Sequence, residues 1–197
     1  MKNNLKIGIT GGIASGKSQA IAYLKEKGFP VFSCDAINAQ LLQEPAYIEK
    51  LQHIFPDCVK DGRIDKKILA EYIFSSPEKR KILENIAHPE ILNRLFLQLE
   101  KESGVVFAEV PLLLEKNLSS HFDKIIVLMR QREARKQAIM KRDGCHEKEA
   151  TAKMDSQFPY EKAFEEGVFS KEKFILIFND LSLENLYEQL DIALKDL

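Results

Sequence analysis

Leu5-Lys6-Ile7-Gly8-Ile9-Thr10-Gly11-Gly12-Ile13-Ala14-Ser15-Gly16-Lys17-Ser18 decides the architecture. Leu5 to Thr10 is a short, mostly apolar run that reads as a buried strand. Gly11 to Ser18 reads as a turn, and Lys17 to Lys27 has the composition of a helix closed by Gly28. Phe29-Pro30-Val31-Phe32 follows as a second strand, with Ser33, Cys34 and Asp35 at its C-terminal end. Strand, loop, helix and strand make a βαβ unit. Parallel neighbours need such a crossover, so the unit implies a parallel sheet.

Outward from that unit, residues 36–103 read as helical with few strand signals. Asp65 can cap a helix that places Ile68, Leu69, Tyr72 and Ile73 on one face. Ser76-Pro77 has the order of a cap followed by a first-turn proline. Pro89 is expected to open a third helix, with Ile91, Leu92, Leu95, Phe96 and Leu99 as its buried stripe. Val105–Val110 and Ile125–Met129 are near-continuous apolar runs, suited to strands covered on both faces, and Phe174–Phe178 is a fifth strand. Residues 131–173 read as helical and charged, and Leu183, Leu186, Leu190, Leu194 and Leu197 recur at the spacing of a core-facing helix. The expected fold is α/β, a five-stranded parallel sheet flanked by helices. Residues 1–35, 104–130 and 174–197 form its core, residues 36–103 a helical substrate-binding insertion and residues 131–173 a lid. Such excursions commonly bind a second substrate and close over the first.

Bulk properties set limits on function. The chain has 197 residues, 45% of them hydrophobic and 30% charged, which suits one folded α/β domain and not a disordered chain. A net charge of −1 lacks the basic surplus of a protein that grips nucleic acid. Cys34, Cys58 and Cys145 lie far apart, without a Cys-x-x-Cys pair, as in a reducing compartment. No run approaches the ~18 apolar residues of a membrane helix, and the residues after Met1 lack a signal-peptide core. A cytoplasmic location without membrane or nucleic-acid partners is the expectation.

Gly11-Gly12-Ile13-Ala14-Ser15-Gly16-Lys17-Ser18 fits G-x-x-x-x-G-K-[ST] in full, with a strand before and a helix after. Glycines let successive N–H groups turn inward toward phosphate oxygens. The helix that follows, through Gln19, points its positive end at the same anion. Lys17 is expected to bridge the β- and γ-phosphates of ATP, and the Ser18 hydroxyl to hold Mg²⁺.

The loop alone does not choose among nucleotide-dependent classes. The Asp-x-x-Gly and Asn-Lys-x-Asp patterns of guanine-nucleotide switches are absent. Val105-Val106-Phe107-Ala108-Glu109 ends in one acid, not the Asp-Glu pair of a motor ATPase. A small-molecule kinase instead needs a carboxylate to accept a hydroxyl proton. Asp35 ends the second strand on the side where ligands bind open parallel sheets. The same Asp could cap the helix starting at Ala36. Glu109 could order Mg²⁺ through water or simply end its strand. His88, before Pro89, suits either a helix entry or a substrate contact.

Thr10 to Ser18 followed by Asp35 resembles the dephospho-CoA kinase family. So do Asp61-Gly62-Arg63-Ile64-Asp65, His88-Pro89-Glu90-Ile91 and Val110-Pro111-Leu112-Leu113-Leu114-Glu115. Arg142-Asp143-Gly144, Gln157 and Asn179 follow in the expected order. The resemblance implies phosphorylation of the ribose 3′-hydroxyl of dephospho-CoA by Mg·ATP. Asp35 would be the base, Lys17 and Arg142 would complete the catalytic set, and His88, Leu113 and Glu115 would join Asp35 in binding the substrate. Ala14 stands where the family usually has glycine, Ser33 replaces an acid, and Ala39 and Ala138 stand where arginine is common. Lys153 replaces another arginine, which keeps charge but loses the bidentate fork. Two other readings share the loop: a nucleoside- or nucleotide-type kinase, and an ATP-binding regulatory protein without transfer.

Overall fold

The computed structural model describes residues 4–197. Five strands form one sheet: β1 (Asn4–Gly11), β2 (Val31–Ser33), β5 (Gly104–Glu109), β6 (Lys124–Met129) and β7 (Phe174–Phe178). Their order is β2-β5-β1-β6-β7, and β1 pairs in parallel with both neighbours. Ile7 lies opposite Phe107 on one side, and Thr10 opposite Val127 on the other. With a strand on each edge and buried apolar side chains packed against them, Ile7 and Ile9 are wholly buried, which explains the mostly apolar run. The chain leaves β1 between strands reached by crossovers in opposite directions, the place where open parallel sheets bind ligands.

Helix α1 (Lys17–Glu26) starts at Gly16, whose φ of 103° is left-handed, and ends before Gly28, also left-handed at 87°. Only glycine enters that region at little cost. Leu24 of α1 packs under the sheet beside Leu186 and Leu190 of α9 (Leu183–Lys195). Burying one such leucine contributes roughly 1.5–3 kcal/mol. Tyr23 and Tyr187 stack at 4.0 Å where the two helices meet. Leu183, expected in the buried stripe, is 40% exposed because it opens α9 beside the cap. That cap is Ser182, whose hydroxyl accepts from the Asn185 N–H. At the end of edge strand β7, the Gln189 side-chain amide receives the Phe178 N–H and donates to its carbonyl.

The chain divides into two compact units, Phe32–Gln98 and the remainder up to Val31 with Leu99–Leu197. The first contains α2 (Cys34–Leu41), α3 (Pro45–Ile54), α4 (Lys66–Ser75) and most of α5 (Pro77–Lys101). Asp65 caps α4 by accepting from the Lys67 and Ile68 N–H groups at 3.0 and 3.2 Å. Ser76 accepts from Lys79 at the start of α5. Arg94 on α5 makes a two-pronged ion pair with Glu44.

Two expectations fail here. Pro89 opens no helix. It lies inside the 25-residue α5, where it forfeits one backbone hydrogen bond, while Ile91, Leu95 and Leu99 are buried along the helix that continues beyond it. The second is the expectation of few strands between 36 and 103: β3 (Val59–Lys60) and β4 (Arg63–Ile64) form a small antiparallel hairpin. Its Asp61-Gly62 turn has both residues at positive φ, as a two-residue hairpin turn demands.

Candidate active site

The loop after β1 is closed from within by its own lysine. Lys17 Nζ donates to the carbonyls of Gly11 (2.7 Å) and Gly12 (3.0 Å), and the Ser15 N–H bonds back to Gly12. The glycines are sterically required. A β-carbon on Gly11 would stand 2.4 Å from the Leu128 carbonyl oxygen, and one on Gly16 2.1 Å from Asn179 Nδ2. Ala14 occupies left-handed space at φ 62°, at a cost of roughly 1 kcal/mol. That conformation explains why glycine suits this position.

Side chains from distant parts of the same unit hold the loop backbone from outside. Gln157 Oε1 accepts from the Ile13 N–H at 2.6 Å, Arg130 Nη1 donates to the Ala14 carbonyl at 3.2 Å, and Asn179 Nδ2 to that of Ser15 at 3.0 Å. Thr10 Oγ1 and the Tyr160 hydroxyl share a hydrogen bond of 3.1 Å, and both residues are buried. Burial pushes the Tyr160 phenol up to about 12, so it remains neutral at physiological pH.

Residues 131–173 form three separate helices, α6 (Arg132–Asp143), α7 (Glu147–Asp155) and α8 (Tyr160–Glu165). Ile139, Ala150 and Met154 of α6 and α7 pack together with Ile13 and Ala14 of the loop. Arg135 of α6 is buried and donates to Glu161 of α8 at 2.5 Å. Burial, the largest influence, pulls its guanidinium below the ordinary value, though arginine stays charged. Glu115 accepts from the Phe158 N–H through Oε1, and its other oxygen is buried without a partner.

The structure distributes the remaining sequence candidates unevenly. Ser18 and Gln19 are exposed on the first turn of α1. Glu109 ends β5 in register with Ile9, two residues before the loop. Leu113 is wholly buried, its Cδ1 2.7 Å from where a Gly8 β-carbon would stand, and so presents no surface to a ligand. Arg142 is largely exposed and paired with Asp143, which also receives Lys153 at 2.6 Å. Those two donors, Arg142 first, hold the Asp143 carboxyl well below the usual range.

In the other unit, His88 is half-buried within α5. Asp35 is exposed in the first turn of α2. The residue preceding that helix is Ser33, so capping does not occupy Asp35.

Oxygen donors suit a hard cation, and Mg²⁺ is usually held by one or two protein oxygens together with phosphates and water. Ser18 and Glu109 match that pattern. No group of three or more His, Cys, Asp or Glu gathers as a metal cage among the described residues.

Known proteins resemble this chain in sequence and in fold. A model of the dephospho-CoA kinase family matches residues 5–169. The chain belongs to the dephospho-CoA kinase family. A dephospho-CoA kinase of Thermus thermophilus is 35% identical over 197 residues, covering 100% of this chain and 93% of that one. One of Fusobacterium nucleatum is 34% identical, covering 94% of each. Among solved structures, TT1252 from Thermus thermophilus superposes with a TM-score of 0.81 at 34% identity, covering 100% and 99%. The dephospho-CoA kinase from Campylobacter jejuni gives 0.73 at 29%, covering 98% and 97%. Membership in the dephospho-CoA kinase family makes the protein a P-loop kinase with a hydroxyl acceptor. No described helix is long and apolar enough to cross a membrane.

Sequence reasoning matched Gln157 and Asn179 to the family but gave them no role. Tyr160 and Arg130 as loop partners went unseen, because nothing in their local sequence shows that they reach residues more than 100 positions away.

Proposed function

We propose that this chain transfers the γ-phosphoryl group of ATP to the ribose 3′-hydroxyl of dephospho-CoA, giving coenzyme A and ADP. The observation that carries the reading is the phosphate loop, with the Lys17 ammonium resting on the Gly11 and Gly12 carbonyls. The N–H groups of Gly16, Lys17 and Ser18, at the start of α1, would receive the phosphates. Ser18 and, through water, Glu109 would hold Mg²⁺, which when bound neutralises phosphate charge.

Asp35 is assigned as general base. The acceptor oxygen attacks the γ-phosphorus as the bond to the bridging oxygen of ADP breaks. The hydroxyl proton passes to the Asp35 carboxylate and then to water. An exposed carboxylate with no ion-pair partner among the described residues suits this role, because a basic partner would lower its proton affinity. Lys17 supports the charge that moves toward the leaving oxygens. His88 and Glu115 are assigned to binding the CoA precursor, and Arg142 to a lid over the reacting groups; Leu113, wholly buried against Gly8, is left to packing.

The test is ADP release from Mg·ATP with dephospho-CoA, beside adenosine, AMP and a control without acceptor. ADP appearing only with dephospho-CoA, together with coenzyme A, is the expected result. ADP with adenosine or AMP instead would overturn the substrate assignment and keep the kinase.

A further inference from the structure

Two cations converge on Gly12. Lys17 reaches its carbonyl at 3.0 Å, and Arg135 lies against its α-carbon: a β-carbon built there would stand 1.7 Å from Arg135 Nη1. Arg135 is only 4% exposed, and its Nε–H has no hydrogen-bond partner. Two further buried donor atoms without partners belong to the loop and its outer support, the Ser15 hydroxyl and Arg130 Nε, whose guanidinium holds the Ala14 carbonyl.

Leaving a buried donor unbonded forfeits its hydration with nothing in return, and a buried guanidinium needs its charge answered. Glu161 answers one edge of Arg135, through Nη2. A clasp between α6 and α8 would need no more than that contact. It leaves unexplained the approach of Nη1 to Gly12 and the bare Nε–H. An oxyanion with several acceptor oxygens in the phosphate loop supplies a partner for the guanidinium edge that faces Gly12.

We propose that Arg135 is a catalytic residue that hydrogen-bonds the terminal phosphate of the bound nucleotide, a role Arg142 was expected to fill. Lys17 bridges β- and γ-phosphates, so a guanidinium sharing Gly12 with Lys17 stands at that end of the chain of phosphates. As the phosphoryl group leaves ADP, negative charge spreads over its equatorial oxygens and onto the leaving oxygen. A planar fork can follow it where a point charge cannot. Arg135 forms no covalent bond and moves no proton. The assignment rests on the ATP-dependent transfer proposed above.

The decisive experiment compares binding of ADP with binding of a non-hydrolysable ATP analogue, in the full chain and its Arg135→Gln variant. The analogue is expected to weaken by about 30-fold or more and ADP by less than about threefold, while kcat falls about 10³-fold, as for arginines that stabilise phosphoryl transfer. Equal weakening of both nucleotides, or kcat within fivefold (about 1 kcal/mol) of the parent, would overturn the proposal. Glu161→Gln separates ligand from clasp. It is expected to cost about tenfold or less, and a loss matching that of Arg135→Gln would make the arginine a structural tie. Should Arg135→Gln fail to fold, Arg135→Lys keeps the charge without the fork, and its analogue-selective loss or its absence decides the matter. Because the binding arm needs no acceptor, failure of the dephospho-CoA assignment leaves this comparison intact.

Discussion

Ile13, Ala14 and Ser15 each have a backbone group held by a side chain from far along the chain, Gln157, Arg130 and Asn179 in turn. Asp35, in the other compact unit, is an exposed carboxylate on the first turn of a helix, held by no such ties. The contrast follows from what each must do. A loop that binds by aiming N–H groups gains from having its shape fixed in advance. A base that must take up a proton would lose basicity to any cation fixed beside it.

Asp35→Asn separates the two regions most sharply. Turnover should fall by something like 10²–10⁴ while Mg·ATP affinity stays within about twofold, read from kcat beside nucleotide titration. Normal turnover would remove Asp35 from the reaction. Gln157→Ala attacks the loop from the segment between α7 and α8. Losing one buried hydrogen bond should weaken nucleotide binding about tenfold, and unchanged affinity would show that the loop holds its shape without that tie.

Asp65→Ala probes the helical unit alone. Loss of the cap should lower the melting temperature by about 2–4 °C, with nucleotide affinity unaltered; a matching drop in affinity would show that the two units are coupled. The smallest effect belongs to Asp143→Asn. Arg142 and Lys153 hold the native carboxyl below its usual 3.8, so its stabilisation is present above that pH and fades as pH falls through the native value. The melting gap between parent and variant should be small, steady from about pH 5 to 8, and should close below about pH 4. A gap that widens in acid would reverse the assignment.

Local chemistry explains what the sequence made legible. Gly11 to Ser18 carries its own signature, the caps at Asp65 and Ser76 use contacts within three residues, and β1, β5 and β6 are apolar because both faces are covered. Pro89 misled because proline usually marks a helix start, yet a long helix tolerates one missing bond. The hairpin was legible in Asp61-Gly62, whose turn signal was there to be read. The outer support of the loop was not. Arg135 stood in a basic run indistinguishable from a solvated helix face, and only the packing of α6 on Gly12 separates it from Lys141 and Arg142.

Gln189 closes the far end of the sheet by taking both backbone groups of Phe178. A side-chain amide carries one donor face and one acceptor, so it imitates a further strand one residue long. An unsatisfied strand margin invites a second chain to continue the ladder, the first step toward insoluble assemblies. At Phe178, beside the exposed rings of Phe164 and Phe178, that invitation is already answered, and the enzyme carries a safeguard for its own solubility in a residue remote from its chemistry.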